Sequence, residues 1–142
     1  MIRSLQPGDR AFVAHSWLKS FEASHWAGGL SRDEYWRAFT PVVDAILDAA
    51  TVLVECNPED HEHIFGWVCY RPNAVLHYVY VKALFRDTRG DASDQPRLAR
   101  GLLMATGLGT RADYTFRTPA WDRYRATHRL GGDYEPRLRE DA

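Results

Sequence analysis

The sequence has few cysteines, no long apolar run and no apolar leader, and each absence excludes a class of protein. Cys56 and Cys69 are the only cysteines among 142 residues, and they lack the paired spacing of a zinc or redox motif. Both lie in apolar, strand-like runs, so we expect buried free thiols. No run is long enough to cross a bilayer, and Met1-Ile2-Arg3-Ser4 has no signal core. We therefore expect a cytoplasmic protein with no membrane partner.

Net charge is also nearly absent. Lysine plus arginine number 18 and aspartate plus glutamate 19, which gives a formal charge of −1. This balance provides no long-range attraction to nucleic acid or to anionic lipid. The C-terminal third is locally basic, through Arg111, Arg117, Arg123, Arg125, Arg129, Arg137 and Arg139. A solvated surface explains that cluster, so we do not expect a nucleic-acid partner.

No internal repeat or low-complexity tract divides the chain. A length of 142 residues is enough for one hydrophobic core and too short for two comfortable ones. Hydrophobic residues at 45% and charged residues at 26% are ordinary for a globular protein. We predict a single domain that spans residues 1–142.

The first half of the chain predicts a strand followed by two helices. The strand covers residues 2–5, and Pro7-Gly8-Asp9 is a turn and helix start. Phe12, Val13, Trp17 and Phe21 then recur at helical spacing until Gly28-Gly29 interrupts the pattern. Ser31 and Glu34 form a capping box before a second apolar stripe. Pro41 is expected to kink or divide this second helix.

The second half predicts an antiparallel hairpin and further strands and helices. Residues 51–55 and 64–70 read as strands around the turn Asn57-Pro58-Glu59-Asp60. Strand 74–82 is expected to pair with 63–71, and a helix follows from about 93 or 96 to 106. A strand near 114–116, a helix over 119–130 and a strand near 134–135 complete the pattern. The result is an α+β fold with a central, mostly antiparallel sheet flanked by helices.

A strand, a loop and a helix between residues 74 and 104 predict an anion site. The apolar strand Val75 to Val81 leads into a loop with Arg86, Arg89 and Gly90, and the helical pattern Leu98, Leu102, Leu103 follows. A helix that begins after such a loop presents unpaired backbone N–H groups, which attract phosphate. Arginine adds a planar fork of donors.

In order and spacing this segment resembles the acyl-CoA-binding segment of the Gcn5-related N-acetyltransferase superfamily. The resemblance covers most of the chain and implies that family's α+β fold. Within it, the chain looks most like short acetyltransferase-like proteins of tailed phages, which would place it in a host cytoplasm. That likeness rests on Gly66-Trp67-Val68, on residues 76–82 and on Phe85-Arg86.

The resemblance implies acetyl-CoA as cofactor and maps its binding residues onto this sequence. The pantetheine arm would bond to the backbone of the fourth strand at Val79, Tyr80 and Val81. The diphosphate would lie against the loop residues Arg86, Arg89, Gly90, Asp91 and Ala92. An ordinary core strand explains the apolar pattern over 79–81 equally well.

Acyl transfer to an amine needs a base for the ammonium and an acid for the leaving thiolate. Glu55, His77 and Tyr78 are the candidate bases, because the family's substrate cleft opens beside the middle strands. Strand alternation predicts that His77 and Tyr78 point to opposite faces, so only one faces the cleft. The resemblance places the acid at Tyr124, with Tyr114 in reserve. Each of these side chains also fits a plain packing role.

Two further residue groups invite functional interpretations. His61-Glu62-His63 lies near Cys56, but it falls at a hairpin turn without a second paired motif, so we expect no metal site. Trp26 and Trp121 lie near Gly28-Gly29 and Pro119. We expect these two tryptophans to line a cleft or a partner surface.

Three functions compete at this point. The first is an acetyltransferase that acts on a small-molecule or peptide amine. The second is a non-catalytic binding or assembly module, such as a homodimer. Two features of the loop favour it: the loop has one residue more than the family motif, and Asp87, Asp91 and Asp94 would repel a diphosphate. The third is a nucleic-acid-modifying enzyme of this fold, for which the C-terminal arginines are the sole support.

Overall fold

The structure is a computed structural model that describes residues 1–82 and 94–141, with side chains from residue 97 onward in the second range. Within these residues five strands form one sheet in the order β1-β2-β3-β4-β5. The strands are β1 Ile2–Ser4, β2 Thr51–Asn57, β3 Asp60–Arg71, β4 Val75–Val81 and β5 Asp113–Tyr114. Neighbours from β1 to β4 are antiparallel, and β5 is parallel to β4. The predicted α+β fold with a mostly antiparallel sheet is confirmed.

Four α-helices accompany the sheet in the described ranges. They are α1 Arg10–Glu22, α2 Arg32–Ala49, α3 Asp94–Ala105 and α4 Pro119–His128. Ser31 caps α2 by accepting from the Glu34 N–H, as predicted, and α2 continues through Pro41 without dividing. Short 3-10 helices span Pro7–Asp9, His25–Ala27 and Pro136–Asp141. None of the helices in the described ranges has the length and apolar character that a membrane span requires.

Helices α1 and α2 cover one face of the sheet and α3 covers the other. The first face holds Trp17 and Trp67, both fully buried, with their ring centroids 5.4 Å apart. The second face holds Val68, Leu76 and Leu102 in a smaller cluster. Apolar positions on β2 to β4 therefore contribute to two cores, as expected for a sheet covered on both sides.

Three sequence predictions near the C-terminus need correction. Helix α4 ends at His128, before the predicted residue 130, because Arg129 adopts a left-handed conformation with φ of 54°. The strand predicted near 114–116 covers only Asp113–Tyr114 in the structure. The strand predicted near 134–135 is a single bridge between Tyr134 and Tyr114. These short pairings depend on tertiary contacts that sequence periodicity does not report.

Candidate functional site

The parallel pair β4–β5 separates after only two residues. Val75 lies opposite Asp113 and Leu76 opposite Tyr114, and one more backbone bond joins Thr115 N to Leu76 O at 3.0 Å. In the described ranges no further backbone hydrogen bond joins the two strands. The side of β4 that faces β5 is therefore an open sheet edge from residue 78 onward.

Register identifies which backbone groups point to that open edge. Lys82 N donates to Phe65 O of β3, and Tyr80 O lies toward Gly66 of β3. Since N–H and C=O alternate sides along a strand, Tyr80 faces β3 while Val79 and Val81 face the gap. The structure thus presents the amides of Val79 and Val81 to whatever occupies the space beside β4.

A β-bulge at His77 begins this divergence. Cys69 of β3 lies opposite Tyr78 and Tyr70 lies opposite Leu76, so His77 is the extra residue. The bulge breaks the predicted alternation, and Leu76 and Val79 pack on the same side of the sheet although they are three positions apart. Of the two candidate bases on this strand, Tyr78 borders the concave space beside β4 and His77 does not. Consecutive residues from Tyr78 to Val81 all border it.

His77 itself is 1% exposed and is anchored to β5. Its Nδ1 shares a hydrogen bond with Thr115 Oγ1 at 2.8 Å, and its Nε2 has no partner among the described groups. Burial, with smaller contributions from Arg71 and Arg139, lowers the pKa of His77 to about 4. The imidazole is therefore neutral at neutral pH.

A small void beside His77 joins the region of the bulge to the open edge. Its volume is about 10 Å³, and its walls include His77, Val79, Phe116 and Trp121. That volume is close to the ~10–15 Å³ that one water molecule requires. His77, whose Nε2 lacks a hydrogen-bond partner among the described groups, is one of the residues that border this void.

The main concave site, which we name the β4 cleft, has a volume of about 560 Å³. This volume lies within the range of ~300–1,000 Å³ typical of ligand sites. One wall is β4 from Tyr78 to Val81, and the opposite wall is α4 with Trp121 and Tyr124. Ser20 of α1 and Ser24, which follows that helix, also border the cleft. The cleft therefore passes beside the open edge of the sheet.

Tyr124 lies in the wall of the β4 cleft, as predicted for the acid. Its ring stacks on Trp121 with 5.8 Å between centroids, and the His128 ring lies 4.1 Å away on the other side. Burial raises the pKa of Tyr124, and the charge of Arg100 opposes this effect. The hydroxyl therefore keeps its proton at neutral pH, which a proton donor requires.

The reserve acid, Tyr114, has different surroundings. It is 4% exposed and packs between Trp121 and Tyr134, with the Arg125 guanidinium 4.3 Å from its ring centroid. It does not belong to the wall of the β4 cleft. Tyr124 is thus the better placed of the two tyrosines.

Glu55 lies apart from these groups. It is on β2, opposite Ile2 and Gly66, with β3 between it and β4. Its carboxylate lies 3.2 Å from the N-terminal ammonium of Met1. The structure thus brings Tyr124 together with Val79 to Val81, places His77 at the start of the open edge, and does not bring Glu55 to the cleft.

The remaining predicted residues divide between the two tryptophans and the loop. Trp121 borders the cleft, whereas Trp26 lies under the Arg117 guanidinium, 4.4 Å from its centre. The predicted diphosphate residues Arg86, Arg89, Gly90, Asp91 and Ala92 lie outside the described residues. In residues 1–82 and 94–141, no group of three or more His, Cys, Asp or Glu could hold a metal ion.

Sequence reasoning missed two polar contributions to the cleft. Ser20 shares a 2.7 Å hydrogen bond with the Tyr78 hydroxyl, and His128 stacks on Tyr124. The spacing of four residues between Tyr124 and His128 on α4 is a signal that could have found the second, because such residues are neighbours on a helix. Ser20 follows Trp17 on an apolar helix, and its position gave no comparable signal.

A second concave surface, which we name the α3–α4 groove, lies on the other side of the Trp121–Tyr124–His128 wall. Its volume is about 490 Å³. Its apolar walls include Leu76 of β4, Leu103 and Met104 of α3, and Leu108 and Leu130 of the connecting segments. None of the residues of α4 is buried, so this helix separates two open spaces.

Comparisons of sequence and of structure give different results. No family model and no curated protein matches the sequence. The apo form of YjaB from Escherichia coli matches the structure with a TM-score of 0.54 and 18% identity, over 80% of this chain and 69% of that one. A Gcn5-related N-acetyltransferase from Rhodopseudomonas palustris, also described as a class-II aminotransferase, matches with a TM-score of 0.53 and 17% identity, over 89% of this chain and 79% of that one. At these identities the likeness establishes a shared fold.

Proposed function

We propose that this chain, which has the fold of the Gcn5-related N-acetyltransferases, is an acyl-CoA-dependent N-acyltransferase with acetyl-CoA as its simplest donor. The observation that carries the proposal is the open edge of β4, with the amides of Val79 and Val81 beside a cleft of about 560 Å³ that also contains Tyr124. An extended ligand with amide groups can pair with such an edge as an additional strand. Pantetheine has this chemistry.

The cofactor would lie along β4 with its diphosphate beyond Val81. In that arrangement Val79, Tyr80 and Val81 hold the pantetheine arm. Arg86, Arg89, Gly90, Asp91 and Ala92 are proposed to surround the diphosphate, near the N-terminus of α3 at Asp94. A helix N-terminus favours anions because its first N–H groups lack partners inside the helix.

The proposed reaction breaks the thioester C–S bond and forms a C–N bond. The neutral amine of the acceptor attacks the thioester carbonyl, and the thiolate leaves with a proton from the Tyr124 hydroxyl. After the attack the acceptor nitrogen is positively charged, and it must lose one proton to give the amide. His77 is better placed than Glu55 to receive this proton, through a water in the void that His77 borders, because Glu55 is two strands from the cleft edge.

The alternative function is a non-catalytic binding module that forms a homodimer. The three aspartates and the extra residue of the loop favour it, because like charge repels a diphosphate. It predicts a defined oligomer that does not respond to coenzyme A. The likeness to tailed-phage proteins stays a prediction from the sequence under either function.

Thiol release from acetyl-CoA in the presence of a panel of amines tests the proposal. Ala120 and Ala126 are both exposed on α4, but only Ala120 borders the β4 cleft. We expect amine-dependent thiol release that Ala120→Trp abolishes by filling the cleft and that Ala126→Trp retains. Equal activity in the two variants would contradict the assignment of the cleft, and no thiol release with any amine would favour the non-catalytic module.

A further inference from the structure

The α3–α4 groove is larger and more apolar than transfer of an acetyl group requires. Its volume is about 490 Å³, and its walls include the half-buried leucines Leu103, Leu108 and Leu130 together with the buried Leu76. Met104 at its rim is 69% exposed. Exposed apolar surface concentrated in a concave site indicates a ligand with an apolar portion.

The groove and the β4 cleft share wall residues near the start of β4. Val79 borders the cleft, Leu76 borders the groove, and both border the small void between them. Trp121 borders all three spaces. At ~3.3 Å per residue, Leu76 lies about 10 Å from Val79 along the strand. A ligand that extends along β4 from Val81 toward the bulge therefore reaches the groove next.

The direction of the cofactor follows from the proposed function, on which this inference rests. With the diphosphate beyond Val81, the thioester end of the pantetheine arm points back toward His77 and Leu76. Tyr124, the proposed acid, borders both the cleft and the groove. The thioester sulfur beside Tyr124 would thus be at the junction of the two spaces.

We propose that the α3–α4 groove binds the acyl chain of the donor and that the preferred donors are acyl-CoA thioesters with chains longer than acetyl. An acetyl group ends at the junction and leaves the leucines uncovered. A longer chain covers them, and each fully buried methylene strengthens binding about fourfold. The bonds made and broken are those of acetyl transfer, with the acyl chain passing intact to the acceptor amine.

Equilibrium binding by calorimetry tests this proposal with four probes: coenzyme A, acetyl-CoA, butyryl-CoA and hexanoyl-CoA. Met104 and Ala105 are adjacent and exposed on α3, and only Met104 borders the groove. We expect hexanoyl-CoA to bind at least tenfold more tightly than acetyl-CoA. Met104→Trp should remove this gain and leave coenzyme A binding unchanged, while Ala105→Trp should retain the gain. Thermal unfolding of both variants verifies that they fold.

The outcomes separate this inference from the function on which it rests. If coenzyme A binds and affinity does not change with chain length, the acyl-chain site is wrong and the proposed function stands. A gain with chain length that Met104→Trp does not remove would also overturn the groove as its site. If none of the four probes binds, both the proposed function and this inference are wrong.

Discussion

His77 and Thr115 are joined by a 2.8 Å hydrogen bond at the point where β4 and β5 separate. Both residues are buried, with exposures of 1% and 0%. This side-chain hydrogen bond takes the place of the next backbone hydrogen bond between the two strands. It holds them together directly beside the gap that forms the β4 cleft.

The pH dependence of stability is the first test of this arrangement. The pKa of His77 falls from 6.5 to about 4 on folding, so the unfolded chain binds the extra proton between these values. The stabilisation that comes from keeping His77 neutral is therefore fully present above pH 6.5 and is lost as the pH falls toward 4. We expect a loss of about 2 kcal/mol between pH 7 and pH 5 from this group.

Urea unfolding of His77→Asn measures that contribution. Asparagine places an amide near the position of Nδ1, so it can still bond to Thr115, and it does not titrate. In this variant the loss of unfolding free energy between pH 7 and pH 5 should be smaller by about 2 kcal/mol. His61→Asn, at an exposed position of the hairpin, should keep the pH dependence of the parent. An unchanged pH dependence in His77→Asn would contradict the assignment.

Close contact between β3 and β4 at Gly66 provides a second prediction. A Cβ at Gly66 would lie 2.5 Å from Tyr80 O, so Gly66→Ala must push the strands apart. We expect a loss of about 1–3 kcal/mol in the free energy of unfolding. Gly101 lies within α3, where an added Cβ meets nothing, and Gly101→Ala should stabilise by about 0.5–1 kcal/mol. Chemical denaturation of both variants checks the opposite signs.

Removal of the proposed acid is the third prediction. Tyr124→Phe keeps the ring that stacks on Trp121 and removes the hydroxyl, so kcat should fall by about 10²- to 10⁴-fold with little change in KM for acetyl-CoA. Because burial raises the pKa of Tyr124, the parent should lose activity only at pH values above the ordinary range of tyrosine. The variant should lack this decline at high pH.

Tyr134→Phe is the matched control for that experiment. The Tyr134 hydroxyl accepts from Arg139 and lies outside the β4 cleft. Its removal should leave kcat unchanged. A similar loss of kcat in both variants would show a structural effect of hydroxyl removal and would contradict the acid role of Tyr124.

The ion pair of Arg3 and Asp9 predicts a second pH effect. Arg3 Nη1 lies 2.6 Å from Asp9 Oδ2, and Gln6 N also donates to that oxygen. The hydrogen bond from Arg3 is the main cause of a lowered pKa at Asp9, and burial opposes it. The pair therefore stabilises the fold above the unfolded pKa of 3.8, and the contribution is lost as the pH falls through the lower folded value.

Asp9→Asn tests this contribution. It should lower the free energy of unfolding by about 2 kcal/mol at pH 7 and by much less at pH 2. Asp44 forms an exposed pair with Arg10 at 3.8 Å, so Asp44→Asn should have almost no effect at either pH. Equal losses at pH 7 and pH 2 for Asp9→Asn would contradict the ionic role.

Much of the fold is predictable from the sequence because local patterns agree with it. The Ser31 capping box, the turn after Asn57 and the apolar stripe of α2 each identify an element from neighbouring residues alone. The bulge at His77 is not predictable in this way. It depends on the register with β3, and a one-residue shift leaves the apolar composition of β4 unchanged.

The candidate site is predictable only in part for the same reason. Tyr124 and Val79 to Val81 were identified through a family resemblance, and the structure places them around one cleft. Ser20 and His128 enter that cleft through packing between elements distant in sequence. The α3–α4 groove is lined by residues from several segments that are distant in the sequence, so no single sequence pattern predicts it.

Amide hydrogen exchange along β4 shows directly whether the open edge of this strand receives the cofactor. Val79 and Val81 point their N–H groups to the open edge, and Tyr80 points toward β3, so Tyr80 is an internal control. We expect saturating coenzyme A to slow exchange at Val79 and Val81 and to leave Tyr80, already protected, nearly unchanged. Unchanged exchange at Val79 and Val81 with coenzyme A present at millimolar concentration would contradict the claim that this edge receives the cofactor.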